Sequence, residues 1–204
     1  VTISIQDLSG NEIRKITPRK ITAGVNRIMW DLRYERTKTP KLRVNPYDVD
    51  WVTYNEDGWR PLRTWDIDVN NGKLGPKAIP GDYQAVLNVD GKEYSQTFQV
   101  LKDPNTAGSL KDIKAQFKYL MTLRSVINNN VDLINKIEEI RFSLQNDYEN
   151  SSEKKARADQ LDQQLYEVES NLFDVKLTGA REDAFRNPNK IYGRLCALAS
   201  DLTR

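Results

Sequence analysis

Residues 73–106, KLGPKAIPGDYQAVLNVDGKEYSQTFQVLKDPNT, contain the turn and strand signals on which the fold turns. Pro80-Gly81 is a turn, after which Tyr83, Ala85, Leu87 and Val89 alternate with Gln84, Val86 and Asn88, the period-2 pattern of a strand with one buried face. Asp90-Gly91 is a two-residue hairpin turn in which both central positions take positive φ. Phe98 and Val100 mark the returning strand, and Asp103-Pro104 stops it. Upstream of this hairpin the chain reads as β; downstream it reads as α.

Toward the N-terminus, Val1, Ile3 and Ile5 alternate with polar residues, Ser9-Gly10-Asn11 turns the chain, and Ile13 and Ile16 follow. A third strand is expected after Ala23-Gly24, with Ile28, Trp30 and Leu32 on one face and Trp30 in the core. A fourth is expected at Trp65, Ile67 and Val69. Six or seven short strands with turns between them predict an antiparallel sandwich of immunoglobulin or fibronectin type over residues 1–104, with an aromatic-rich insertion at about 34–64.

Residues 105–204 read as a helical hairpin or three-helix bundle. Ser109 and Asp112 have capping-box spacing. Ile113, Phe117, Leu120, Ile127, Val131, Ile134, Ile137, Leu144 and Tyr148 then follow helical spacing, with Asn128-Asn129-Asn130 as a weak point. Ala158, Leu165 and Leu172 recur every seven residues, as do Leu161, Val168 and Val175, which predicts an antiparallel packing seam. Gly179 ends that pattern, and Asn187-Pro188 is expected to start a third helix with Ile191, Leu195, Leu198 and Leu202 facing inward. The expected fold class is therefore α+β, with two segregated parts.

Charge narrows the function classes. The chain carries 31 basic and 29 acidic residues, split 16 to 13 over residues 1–102 and 15 to 16 over the remainder, so neither half has the one-sign field that nucleic acid requires. The densest basic run, from Arg33 through Arg36, Lys38 and Lys41 to Arg43, reads as a solvated loop. No apolar run in the sequence approaches the roughly 20 residues of a membrane span. Val1 to Ile5 open inside an alternating strand, so a longer polypeptide is expected around this segment.

The 204 residues include no histidine, which removes histidine triads and most zinc sites. Asp66 to Gly72 echo a calcium loop, but Asn71 occupies its glycine position and Lys77 the place of its bidentate glutamate. The acid pairs Asp48/Asp50, Asp66/Asp68 and Glu138/Glu139 read as loop, strand and helix-surface residues, and no catalytic, metal or cofactor site is expected. Cys196 reads as a buried structural thiol. Trp51, Tyr54 and Trp59 are the candidate ligand or partner contacts. With Tyr47 and Trp65 they crowd an otherwise loop-like stretch, where rings either stack on sugars or bury against a neighbouring surface.

VNRIMWDLRYE (25–35) and GPKAIPGDYQAVLNVDGKEYSQTFQVLKDPN (75–105) resemble the region that follows the β-propeller in bacterial proteins with sortilin-like or BNR (Asp-box) repeats, often labelled glycosyl hydrolases. Asp7, Gly10 and Ile13-Arg14 match that family's opening strand; Ala23-Gly24, Asn26 and Trp30 to Arg33 match its "aG.n...WDLR" strand. Pro80, Gly81, Tyr83, Leu87, Asp90, Gly91 and Asp103-Pro104 match its hairpin and exit. The resemblance implies a periplasmic or secreted accessory segment whose partner is a propeller of the same polypeptide. Any hydrolase activity would belong to that propeller, and no Asp-box repeat occurs here. A carbohydrate-binding module using the aromatic insertion, and a glycoside hydrolase with an all-carboxylate site, are the alternatives.

Overall fold

The computed structural model of the chain describes residues 1–47, 49, 51–60, 72–147, 152–177 and 187–203. It is α+β. Four strands, β1 (Thr2–Asp7), β2 (Glu12–Ile16), β3 (Gly81–Val89) and β4 (Lys92–Val100), form one antiparallel sheet in the order β2-β1-β3-β4. Three helices follow among the described residues: α1 (Leu110–Asn146), α2 (Ser152–Leu172) and α3 (Ile191–Thr203). Two compact units share these elements: residues 1–36 with 74–122, and residues 37–73 with 123–204. Residues 37–73 thus go with the later part of α1 and the other helices, and the start of α1, through residue 122, goes with the sheet.

In the sheet unit, the β3–β4 hairpin closes at Asp90 and Gly91, whose φ values of +51° and +84° are those the turn demands. In the β1–β2 turn the Asp7 carboxylate accepts from the backbone of Ser9 and Asn11 (2.9 Å each) and from the Asn11 amide (2.8 Å). These bonds, chiefly those from Asn11, hold the Asp7 carboxyl below its ordinary range. Ile13, Ala78, Tyr83 and Val100 form the core, with Trp30, Tyr34 and Phe98 packed against it. The Trp30 ring meets Tyr83 and Phe98 edge-on at 6.0 Å, and its indole N–H donates to the Arg33 carbonyl at 2.9 Å.

The expected third strand does not form. Trp30 does turn to the core, but Leu32 has φ +56° and is exposed, so the alternation breaks there. Tyr34 and Ala78 donate backbone bonds to Pro76 and Leu32 (2.9 and 2.7 Å), leaving Arg33 and Lys77 as an isolated bridge. A side chain on Gly75 would put Cβ 2.0 Å from the Tyr34 carbonyl oxygen, so this approach requires glycine. The predicted strand at Trp65 to Val69, the Asp66 to Asn71 stretch, Asp48, Asp50, Tyr148 and Gly179 lie outside the described residues. Among the described residues the strands make a single sheet.

In the helical unit, α1 runs unbroken through Asn128–Asn130. At its start, in the sheet unit, Ser109 and Asp112 bond reciprocally: the Asp112 carboxylate accepts from Ser109 N (3.0 Å) and Ser109 Oγ from Asp112 N (3.2 Å). Ile127, Val131 and Ile134 are fully buried, as is Leu42 of the insertion. The other two helices are rotated from expectation. On α2, Ala158, Asp162 and Glu169 face inward, with Phe173 just beyond, whereas Leu161 and Val168 are 43% and 53% exposed. On α3, which begins at Ile191, past the Asn187-Pro188 start, Tyr192, Cys196, Ala199 and Ser200 are buried while Ile191 and Leu198 are exposed.

Candidate functional site

The insertion is tied to α1 by a ladder that no apolar pattern announces. Backbone N–H groups of Lys38 and Lys41 donate to the side chains of Asn128 and Asn135 at 2.8 and 2.7 Å. Those of Arg43 and Val44 both donate to one oxygen of Glu138, at 2.5 and 2.9 Å. The acceptors fall three and seven residues apart, so they share one helix face. The amides of Lys38, Lys41, Arg43 and Val44 are thereby satisfied, and Leu42 between them bridges Arg60. The C-terminal three of the basic run are spent inside the unit: Lys38 pairs with Asp132 (2.6 Å), Arg43 with Glu139 (3.2 Å), and the Lys41 ammonium sits 4.3 Å above the Trp59 ring.

Of the aromatic candidates, Trp51 is 65% exposed and Tyr54 38%, while Trp59 is half-buried. The Tyr54 hydroxyl donates to Asn45 at 2.6 Å, and Lys41 covers one face of Trp59. Trp51 is therefore the open ring of the three. Tyr47, 39% exposed, donates to Asp162 (2.7 Å), with its ring 4.5 Å from Tyr166.

Asp162 opens onto a buried cluster of charges. Arg141 donates to Asp162 (2.8 Å) and to Glu169 (2.9 Å), and its guanidinium lies over both the Tyr47 and Tyr166 rings. Arg60 donates to the Leu177 carbonyl and approaches Glu138 at 3.8 Å. Glu138 and Glu169 are 0% exposed, and Arg60, Arg141 and Asp162 are 5% exposed or less. Gln145 with Asp162, and Arg141 with both Asp162 and Glu169, give contacts whose partners descend on α2 as they ascend on α1.

The two α2 acids are tuned in opposite directions. Burial pushes Asp162 up, but bonds from Arg141, Tyr47 and Gln145 outweigh it and hold the carboxyl below its ordinary range. Burial, with the facing Glu138 adding to it, pushes Glu169 up to about 8 despite its bond from Arg141. A raised and a lowered carboxyl sharing one arginine resemble the electrostatic pattern of an acid–base pair. Such a pair acts on a substrate only if the substrate reaches it, and Asp162 and Glu169 are both buried.

The other groups extend this picture. Burial raises the Cys196 thiol to about 11 and lowers the Lys73 ammonium, so the cysteine holds its proton at neutral pH. Glu138 is not the surface residue its pairing with Glu139 predicts. The available signal was the seven-residue spacing of Asp162 and Glu169, with Glu138 and Arg141 three apart on the preceding helix. Three surface depressions, beside Lys136 and Leu144, beside Leu8 and Phe98, and beside Arg14 and Met29, each contain one acid at most. Among the described residues no three potential ligands gather around a metal position, and no helix is long and apolar enough to cross a membrane. Comparison with protein-family models, curated proteins and solved structures found no match.

Proposed function

We propose that this chain is a non-catalytic accessory segment of a larger exported β-propeller polypeptide of the glycosyl hydrolase-like kind, serving to brace the propeller or present a docking surface. The proposed finer architecture is an immunoglobulin-like sandwich followed by a three-helix bundle, and the proposed location is periplasmic or secreted. One observation carries the reading: the buried acids of the helical unit, Glu138, Asp162 and Glu169, are all engaged with arginines or backbone amides, which is scaffolding work. The sequence resemblance supplies the propeller. Purified chain should turn over neither aryl glycosides nor sialosides. Steady turnover abolished by Glu169→Gln would overturn the reading in favour of a carboxylate hydrolase.

The exposure of Trp51 favours a second reading, a sugar-stacking surface on the insertion. A glycan array separates the two: saturable binding lost in Trp51→Ala identifies a carbohydrate-binding module, and no binding leaves the accessory role.

A further inference from the structure

We propose that Glu138 and Glu169 share a single proton between α1 and α2, and that this proton makes the seating of the insertion on α1 sensitive to pH. The charge count comes first. Two guanidinium groups, Arg60 and Arg141, meet three carboxyls, Glu138, Asp162 and Glu169, all within a region of 5% exposure or less. One negative charge is in excess, and burying an uncompensated charge is far costlier than neutralising it. Asp162 is not where the proton resides, because Arg141, Tyr47 and Gln145 all donate to it.

The orphaned oxygens make the second argument. Glu169 Oε2 accepts from Arg141 and Glu138 Oε2 from the Arg43 and Val44 amides, but Glu138 Oε1 and Glu169 Oε1 are buried without a hydrogen-bond partner. Both are acceptors when ionised, so neither can satisfy the other. One proton on either carboxyl supplies a donor that the other carboxylate accepts, the two side chains being within hydrogen-bonding reach. The raised pKa of Glu169, caused by burial and then by Glu138, agrees with this geometry.

The neighbouring groups are accounted for. From α1 come Glu138 and Arg141; from α2, Asp162 by way of Arg141; from the insertion, Arg60, whose charge is felt by both glutamates, and Tyr54, which faces Arg60 and Glu138. Of the ionisable groups of α3, Arg194 and Asp201 are exposed, Tyr192 faces Cys196, and Cys196 faces Lys73. Glu138 is also the acceptor for Arg43 and Val44, so the proton lies one carboxyl away from the bonds that hold the insertion.

The sign follows. A carboxyl with a raised native pKa gives stability that is complete below the unfolded value, 4.5, and is lost as pH rises through about 8. Carbon-13 NMR of the full chain labelled at glutamate carboxyls should show one titration far above the rest, absent in Glu169→Gln. In urea unfolding, the wild-type equilibrium constant should rise by up to about tenfold per pH unit between pH 5 and 8. Glu169→Gln should flatten that slope, because a neutral amide can still donate to Glu138. Exchange of the Arg43 and Val44 amides, corrected for base catalysis, should quicken through the same window in wild type alone. The idea is overturned if every glutamate titrates in the ordinary range, or if Glu169→Gln keeps the wild-type slope. The wild-type titration decides the matter even if the variant does not fold.

Discussion

The two units solve the problem of a core with opposite materials. The sheet unit buries Ile13, Tyr83 and Val100, with Trp30 and Phe98 meeting Tyr83 edge-on or stacked, so its cohesion is hydrophobic and aromatic. In the helical unit, Ile127, Val131 and Ile134 give way toward the C-terminal half of α1 to Glu138 and Arg141, which face Asp162 and Glu169. Apolar packing tolerates graded losses, whereas a buried ionic layer is strong only while every partner is present. The sheet unit should therefore weaken in proportion to the surface removed, and the helical unit abruptly when one charge is deleted.

The largest effect is expected at Arg141. It is bonded to two carboxylates and stacked on two tyrosines, so Arg141→Met should destabilise the helical unit by about 3–5 kcal/mol, the usual cost of stranding a buried charge. Urea unfolding followed by helical circular dichroism would measure it. A loss under about 1 kcal/mol would mean that the layer is no more than a set of surface-like pairs. Replacing Arg141, Asp162 and Glu169 together with apolar residues of similar volume should recover part of the loss, since the penalty lies in the unpaired partners.

Trp30 comes next. It is half-buried and supports three aromatic contacts or hydrogen bonds at once, so Trp30→Ala should cost about 2–3 kcal/mol, less than the ~3–5 of a fully buried ring. Tryptophan fluorescence during unfolding would report it. Equal losses at Trp30 and Arg141 in the same transition would show that the units unfold as one.

A pH scan sharpens the contrast further. Asp162 has a lowered pKa, so its contribution is present above 3.8 and is lost as pH falls through the native value; the excess-proton pair acts in the other direction, toward alkali. Helical signal should therefore fall off on both sides. The sheet unit's lowered carboxyls, Asp7 and Asp112, belong to an exposed turn and an exposed helix start, so the core aromatics should hold their near-ultraviolet signal across the same alkaline window.

This difference also explains what could be read in advance. The hairpin from Gly81 to Val100 was legible because the turn signals Pro80-Gly81 and Asp90-Gly91 bracket a run whose Tyr83, Ala85, Leu87 and Val89 recur with period 2. The strand predicted around Trp30 failed at one residue, Leu32, whose positive φ carries no signal in a leucine. The helices were legible as helices, since a 3.6-residue repeat survives rotation. The facing of α1 was legible too, since Leu120, Ile127, Val131, Ile134 and Ile137 are buried as its repeat predicts. The facing of α2 was not, because the reading assumed that its whole apolar stripe points inward, and Asp162 and Glu169 are buried while Leu161 and Val168 are exposed. The seating of residues 38–44 rests on backbone amides meeting side-chain oxygens, a pairing that leaves no periodic mark in either segment. The candidate Trp51 was legible as a ring in a loop; the cover over Trp59 required the fold of Lys41.

The smallest effect is expected where heptad spacing had placed the seam. Leu161 and Val168 are 43% and 53% exposed, so Leu161→Ala and Val168→Ala should each change stability by no more than about 0.5 kcal/mol. Asp162→Ala, one residue from Leu161, should cost several times as much, because it removes one of Arg141's two carboxylate partners and leaves Tyr47 and Gln145 without their acceptor. The pair is a direct measurement of the rotation of α2, and equilibrium urea unfolding of both variants under one condition is enough to read it. If Leu161→Ala instead cost about 2–5 kcal/mol and Asp162→Ala little, the apolar seam would face inward after all. The ionic layer, and with it the contrast between the two units, would then be wrong.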